Sequence, residues 1–165
     1  MSFNVAPEAY ARFMGRYAEP LAEVFAGFAG VGADAKVLDV GSGPGALTAH
    51  LLSVGADVVA IDPSPPFLDA IRARFPGIEV RQGTAEELPY DTGAFDAALA
   101  QLVVHFMSDP VAGLRQMARV TRHGGVVAAC VWDGPTGALA PFWDSVHLID
   151  PEAEDEALLS GARMG

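Results

Sequence analysis

Apolar positions along this chain follow two rhythms that alternate from Val37 onward. Short runs of consecutive apolar residues read as buried strands, and between them apolar residues recur every third or fourth position, as on one face of a helix. Val37, Leu38 and Val40, around Asp39, make the first run. Asp57 to Ile61, ending in Asp62, makes the second, and Ile78 to Gln82 the third. Phe95 to Leu102, ending near Gln101, is the fourth, and the stretch Val126 to Trp132 belongs to a fifth. Helices are predicted from Ala46 to Ser53, through Phe67, Leu68, Ile71 and Phe75, and from Asp109-Pro110 through Leu114, Met117 and Val120. Ser64 ahead of Pro65-Pro66 and Asp109 ahead of Pro110 fit N-caps with proline in the first turn. Upstream, residues 7–29 carry Phe13, Tyr17, Leu21, Val24, Phe25 and Phe28 at helical spacing, and Pro20 is expected to split this stretch into two helices. The repeated β-α-β order predicts a parallel sheet with helices on both faces and right-handed crossovers. Residues 134–141 read as a loop, Phe142 to Leu148 as a short helix, and 150–156 as an acidic stretch.

Between the first strand and its helix stand Gly41, Gly43 and Gly45. Glycines at alternate positions let the backbone turn with positive φ and let a ligand lie directly on it, while the next helix offers unpaired N–H groups. A nucleotide-like cofactor follows. Gly41 to Ala46 also satisfies the dinucleotide fingerprint G-x-G-x-x-[G/A]. Asp39 bears on the choice: it sits beside the place of a pyrophosphate, and no Lys or Arg occurs from Val37 to Ile71 to offset its charge. An acidic strand end suits a cationic, phosphate-free ligand better. Asp62, at the carboxyl end of the second strand, faces the same crevice and can accept hydrogen bonds from two ribose hydroxyls.

In chain order, D-V-G-S-G-P-G (Asp39 to Gly45), Asp62, G-T-A-E-E-L-P (Gly83 to Pro89) and F-D-A-A-L-A-Q-L (Phe95 to Leu102) resemble the successive motifs of class I S-adenosylmethionine-dependent methyltransferases. The likeness covers about residues 37–133 and is nearest the small-molecule branch related to quinone biosynthesis. It implies an α/β, three-layer Rossmann-like fold with a mainly parallel sheet of order 3-2-1-4-5, helices on both faces and helices at the N-terminus. It also implies one domain: N-terminal helices over 1–35, a cofactor-binding core over 36–133, and an incomplete C-terminal part over 134–165, since family members continue with a further helix and two strands. Strand five then becomes an exposed apolar edge on which a homodimer can form.

The cofactor so implied is S-adenosylmethionine, with S-adenosylhomocysteine as product and a small molecule as methyl acceptor. Its implied contacts are Asp39, Gly41, Ser42 and Gly43 in the loop, Asp62 and Pro63 at the ribose, and Gln101 and Leu102 beside the methionine part. Arg16 is expected near the cofactor carboxylate. Around the adenine stand Thr84, Ala85 and Glu86; Thr84 replaces the usual Asp, leaving its hydroxyl or Glu86 to accept from the adenine amine and Ala85 to donate its N–H. Methyl transfer from a sulfonium needs a base only when the acceptor arrives protonated, and His105 and Tyr17 are the candidates. Two other readings remain open: a noncatalytic S-adenosylmethionine-binding module and an NAD(P)-linked oxidoreductase.

Composition narrows the partners. Among 165 residues, 21 acids against 10 bases give a net charge of −11, which opposes nonspecific binding to nucleic acid or anionic lipid. The lone Cys130 excludes a disulfide framework and reads as a core thiol, and His50 and His147 have no metal-ligand spacing. With 51% hydrophobic residues the chain can build a core, yet no stretch nears about 18 uninterrupted apolar residues, so a cytoplasmic protein without a membrane span is expected.

Overall fold

In the computed structural model, which describes residues 14–133 and 140–151, strands and helices alternate as the apolar pattern requires. Strands β1 (Lys36–Val40), β2 (Asp57–Asp62), β3 (Glu79–Gln82), β4 (Phe95–Gln101) and β5 (Thr121–Cys130) form one sheet of order β3-β2-β1-β4-β5, with every neighbouring pair parallel. The order matches the expectation. Helices α1 (Arg16–Ala29), α2 (Ala46–Ser53), α3 (Pro65–Arg74) and α4 (Pro110–Val120) belong to the unit that ends at Cys130. From Val131 the chain forms a second unit, in which α5 (Ala140–Ile149) is described.

The central strands read as unbroken apolar runs because both sheet faces are covered. Val37 and Leu99 on one face join Phe25 of α1 and Leu47 and Leu51 of α2. Leu38, Val40 and Ile61 on the other face join Met117 and Val120 of α4. Alternation along β1 therefore sends Asp39 to the face of Val37, toward α2.

Two expectations need correction. Pro20 does not divide α1: it lies one turn inside the helix and forfeits only the bond its N–H would have made to the Arg16 carbonyl. The helix expected before it falls largely on residues outside those described. Strand β5 begins earlier than the apolar run indicated, at Thr121. Its pairing jumps from Phe95↔Thr121 to Ala97↔Val126, and the extra residues are taken up by a bulge in which Gly124 adopts φ +77°.

Candidate functional site

A cavity of about 290 Å³ opens at the carboxyl ends of β1, β2 and β4, where an open α/β sheet binds its ligands. Gly41, Ser42 and Gly43 line it from the loop after β1, Asp62 and Pro63 from the end of β2, and Gln101 and Leu102 from the end of β4. These seven were all expected.

The glycine loop is folded onto β2. Gly41 and Ser42 both donate to the Ile61 carbonyl, at 2.8 and 3.1 Å, and Gly45 donates to Ser42 at 3.0 Å. Gly43 N–H donates to Asp62 Oδ2 at 2.8 Å, and the other carboxylate oxygen takes the Ser64 amide at 2.8 Å. Four loop amides are thus spent on protein acceptors, and Pro44 has none to offer. Within the loop itself, from Gly41 to Gly45, no amide is left for an anion. Asp62 has used two of about four lone-pair positions, so the remaining two can accept from a ligand.

Carboxylate charge dominates the surroundings. Asp39 lies beneath the loop, 1% exposed, and takes a 2.6 Å hydrogen bond from the Thr48 hydroxyl of α2. Burial, and to a lesser extent the charge of Asp62, raise its pKa to about 7 against the lowering effect of its bonds from Thr48. Burial also raises the pKa of Asp62, although the Ser64 and Gly43 amides pull it down. Both acids gain if a cation enters.

Among the described residues, three that line the cavity carry a buried polar atom without a hydrogen-bond partner: Ser42 Oγ, Ser64 Oγ and Gln101 Oε1. Leaving such atoms unpaired costs about 1–3 kcal/mol each, so a polar ligand is the physical expectation. Ser64 occupies the N-cap position of α3, as predicted, but its hydroxyl makes no cap bond. An adenosyl donor bearing an ammonium and a ribose diol fits these residues: Asp62 keeps two lone-pair positions for it, and the acidic floor favours its charge.

Other expected residues lie elsewhere. Asp39 acts from below, outside the lining. Arg16 and Tyr17 begin α1 on its exposed side and do not line the cavity. Thr84, Ala85 and Glu86 are also absent from the lining. Glu86 instead accepts from the Ser108 and Asp109 amides, at 2.7 and 3.3 Å. Burial works to raise its pKa, but these bonds, its own amide and the Thr84 hydroxyl together lower it. The loop after β3 is thereby pinned to the start of α4.

His105 sits in a 3-10 turn, Val104–Phe106, with its ring 3.9 Å from that of Phe106 between centroids. It does not line the cavity, and burial lowers its pKa, leaving it neutral near pH 7.

Sequence reasoning missed the apolar wall. Val103 and Phe106 follow β4, and Pro65, Pro66 and Phe67 follow β2. The rule that ligands lie beyond strand carboxyl ends would have found both groups. Ala18, contributed by α1, has no local signal at all.

Comparison with known proteins gives a consistent family. A family model described as a methyltransferase domain matches residues 38–129. A Mycobacterium tuberculosis protein named only as an uncharacterised methyltransferase is 44% identical over 98 residues, 59% of this chain and 40% of that protein. A demethylmenaquinone methyltransferase of Mycolicibacterium gilvum is 42% identical over 104 residues, 63% of this chain and 45% of that protein. The matched stretch thus spans less than half of these relatives. The fold is shared with a solved SAM-dependent methyltransferase from Aquifex aeolicus, with a TM-score of 0.70 at 20% identity over 88% of this chain and 86% of that one.

Proposed function

This chain belongs to the class I S-adenosylmethionine-dependent methyltransferases, and on that premise we propose that it transfers the methyl group of S-adenosylmethionine to a small, largely apolar acceptor. Asp62 carries the reading. Its carboxylate fixes the glycine loop through Gly43 and α3 through Ser64, and keeps two lone-pair positions for ribose hydroxyls at a cavity from which the loop amides are withdrawn. The acidic surroundings, Asp39 beneath the loop and Asp62 in the lining, weigh against NAD(P), whose pyrophosphate is an anion.

When bound, the cofactor supplies a methyl group already activated by the sulfonium charge. What remains for the protein is to hold nucleophile and methyl in line and to keep water out, worth up to about 7–11 kcal/mol. Val103, Phe106 and Ala18 form an apolar wall beside Gln101. A quinone acceptor such as the demethylmenaquinone named for the Mycolicibacterium gilvum relative suits such a wall. We place the protein in the cytoplasm, acting on a free metabolite rather than on nucleic acid, which its charge of −11 repels. None of the described helices is long and apolar enough to cross a membrane. A second copy would pair along β5, where Val126 and Val127 are 37% and 39% exposed.

Asp62→Ala should weaken S-adenosylmethionine binding about 10- to 150-fold, the equivalent of a lost charge-assisted hydrogen bond. Calorimetry on the folded variant measures this, and an unchanged affinity would remove the ribose assignment. Methyl transfer from labelled cofactor into a metabolite extract separates an enzyme from a noncatalytic binding module. His105→Gln supplies a further check. A general base contributes about 10²- to 10⁴-fold, whereas a side chain supporting Phe106 from outside the cavity should cost no more than about threefold in kcat.

A further inference from the structure

Gln101 has one side-chain end committed and the other unpaired among the described residues. Its amide nitrogen lies 2.9 Å from the Ala18 carbonyl of α1, across 83 residues of sequence. A carbonyl can only accept, so the NH2 group faces the Ala18 carbonyl and the amide oxygen takes the other branch of the planar amide. That oxygen is buried, has no partner among the described residues, and belongs to a residue only 9% exposed that lines the cavity.

The receiving end is weak by construction. Pro20 lacks the N–H that would bond the Arg16 carbonyl, so the opening turn of α1 is short of one internal hydrogen bond. Ala18, two residues earlier, is 5% exposed and itself lines the cavity. The Gln101 bond therefore ties down the stretch of helix that the proline loosens. Through Ala18, that stretch is also cavity wall.

We propose that Gln101 is a two-ended strap: a hydrogen-bond donor on the bound cofactor engages its amide oxygen, and the amide nitrogen then holds the first turns of α1 more firmly. The inference rests on the cofactor reading given above. Strand ends lie about 4.8 Å apart, so β4 stands ~10 Å from β2 across β1. A ligand gripped by Asp62 at its ribose can thus present its amino group near Gln101. Donation to the amide oxygen polarises the amide and strengthens the opposite N–H···O bond, so occupancy of the cavity is transmitted to the helix.

Hydrogen exchange on the full chain, with and without S-adenosylhomocysteine, tests the strap. Helical pairing places the Ala22 amide on the same Ala18 carbonyl, so exchange at Leu21 and Ala22 reports directly. In the wild type, ligand should slow it about fivefold. Gln101→Glu separates the two ends, because a carboxylate still accepts from the ligand ammonium but cannot donate to Ala18. That variant should bind S-adenosylhomocysteine by calorimetry without slowing exchange in α1. Gln101→Leu, lacking both ends, should bind more weakly and also show no slowing. Equal slowing in either variant, or none in ligand-saturated wild type, overturns the strap. Failure of the wild type to bind in the calorimeter overturns the cofactor reading itself, which distinguishes the two failures.

Discussion

Asp39→Asn is expected to stabilise the protein at pH 8 by about 2–4 kcal/mol while weakening its hold on S-adenosylmethionine. Asp39 is buried under the glycine loop, and its pKa rises from 3.8 to about 7, chiefly through desolvation. At about 1.4 kcal/mol per pH unit, holding this carboxylate ionised in the folded state costs up to about 4 kcal/mol. The sign follows from proton counts. Between pH 4 and 7 the folded protein keeps the proton that the unfolded chain has released, so stability falls as pH rises through that window and levels off above it. Asparagine never ionises and still accepts from the Thr48 hydroxyl, so the variant escapes this fall. Denaturant unfolding across pH 4–8 should show the two proteins converging near pH 4 and diverging toward pH 8. A gap independent of pH would mean that Asp39 is ionised throughout. Cofactor binding should move the other way. A cationic ligand favours the ionised acid, so wild-type affinity should rise from pH 6 to 8, whereas the variant should be weaker at pH 8 and lose the part of that rise due to Asp39. Stability is given up at this position for charge complementarity at the site.

Asp39 also shows how far sequence could go. Its charge, and the lack of a basic residue from Val37 to Ile71, indicated an acidic floor. Period-two alternation in β1 sends the side chain toward α2 rather than into the cavity, and only the placement of Thr48 decides what it touches. Strand order and the seven lining residues shared by loop and strand ends were legible because glycine turns and apolar runs are local signals. Contacts over long separations were not. Glu86 could be read as a ligand for adenine, yet its carboxylate meets amides 22 and 23 residues away. Ala18 joins the cavity across 83 residues, for which no spacing in the chain gives warning. Pro20 was misread for a different reason: proline breaks a helix interior, but one turn from the start it removes a single bond.

Gly41→Ala is the second large effect expected, a loss of about 2–5 kcal/mol in stability with cofactor binding reduced alongside. Gly41 has φ +69°, where an alanine costs about 1–2 kcal/mol. A Cβ there would also come within 2.5 Å of both Cγ atoms of Val103, and overpacking of this kind costs about 1–3 kcal/mol more. Val103 has little room to yield. Leu102, immediately before it, is held at φ +60° with its N–H on the Cys130 carbonyl at 2.8 Å, a left-handed turn that brings the chain after β4 back over the loop. The glycine loop and the apolar wall are therefore fitted to each other, and a methyl group at Gly41 displaces one or the other. Gly43→Ala is the control. Its φ is +53° with nothing within 4 Å of the added Cβ, so only the backbone cost of about 1–2 kcal/mol should appear. Adding Val103→Ala to Gly41→Ala should recover the overpacking part and leave the backbone part, a departure from additivity that thermal or denaturant melts can resolve. If the double variant is as unstable as the sum of its parts, Val103 does not set the fit, and the glycine is required for its backbone alone.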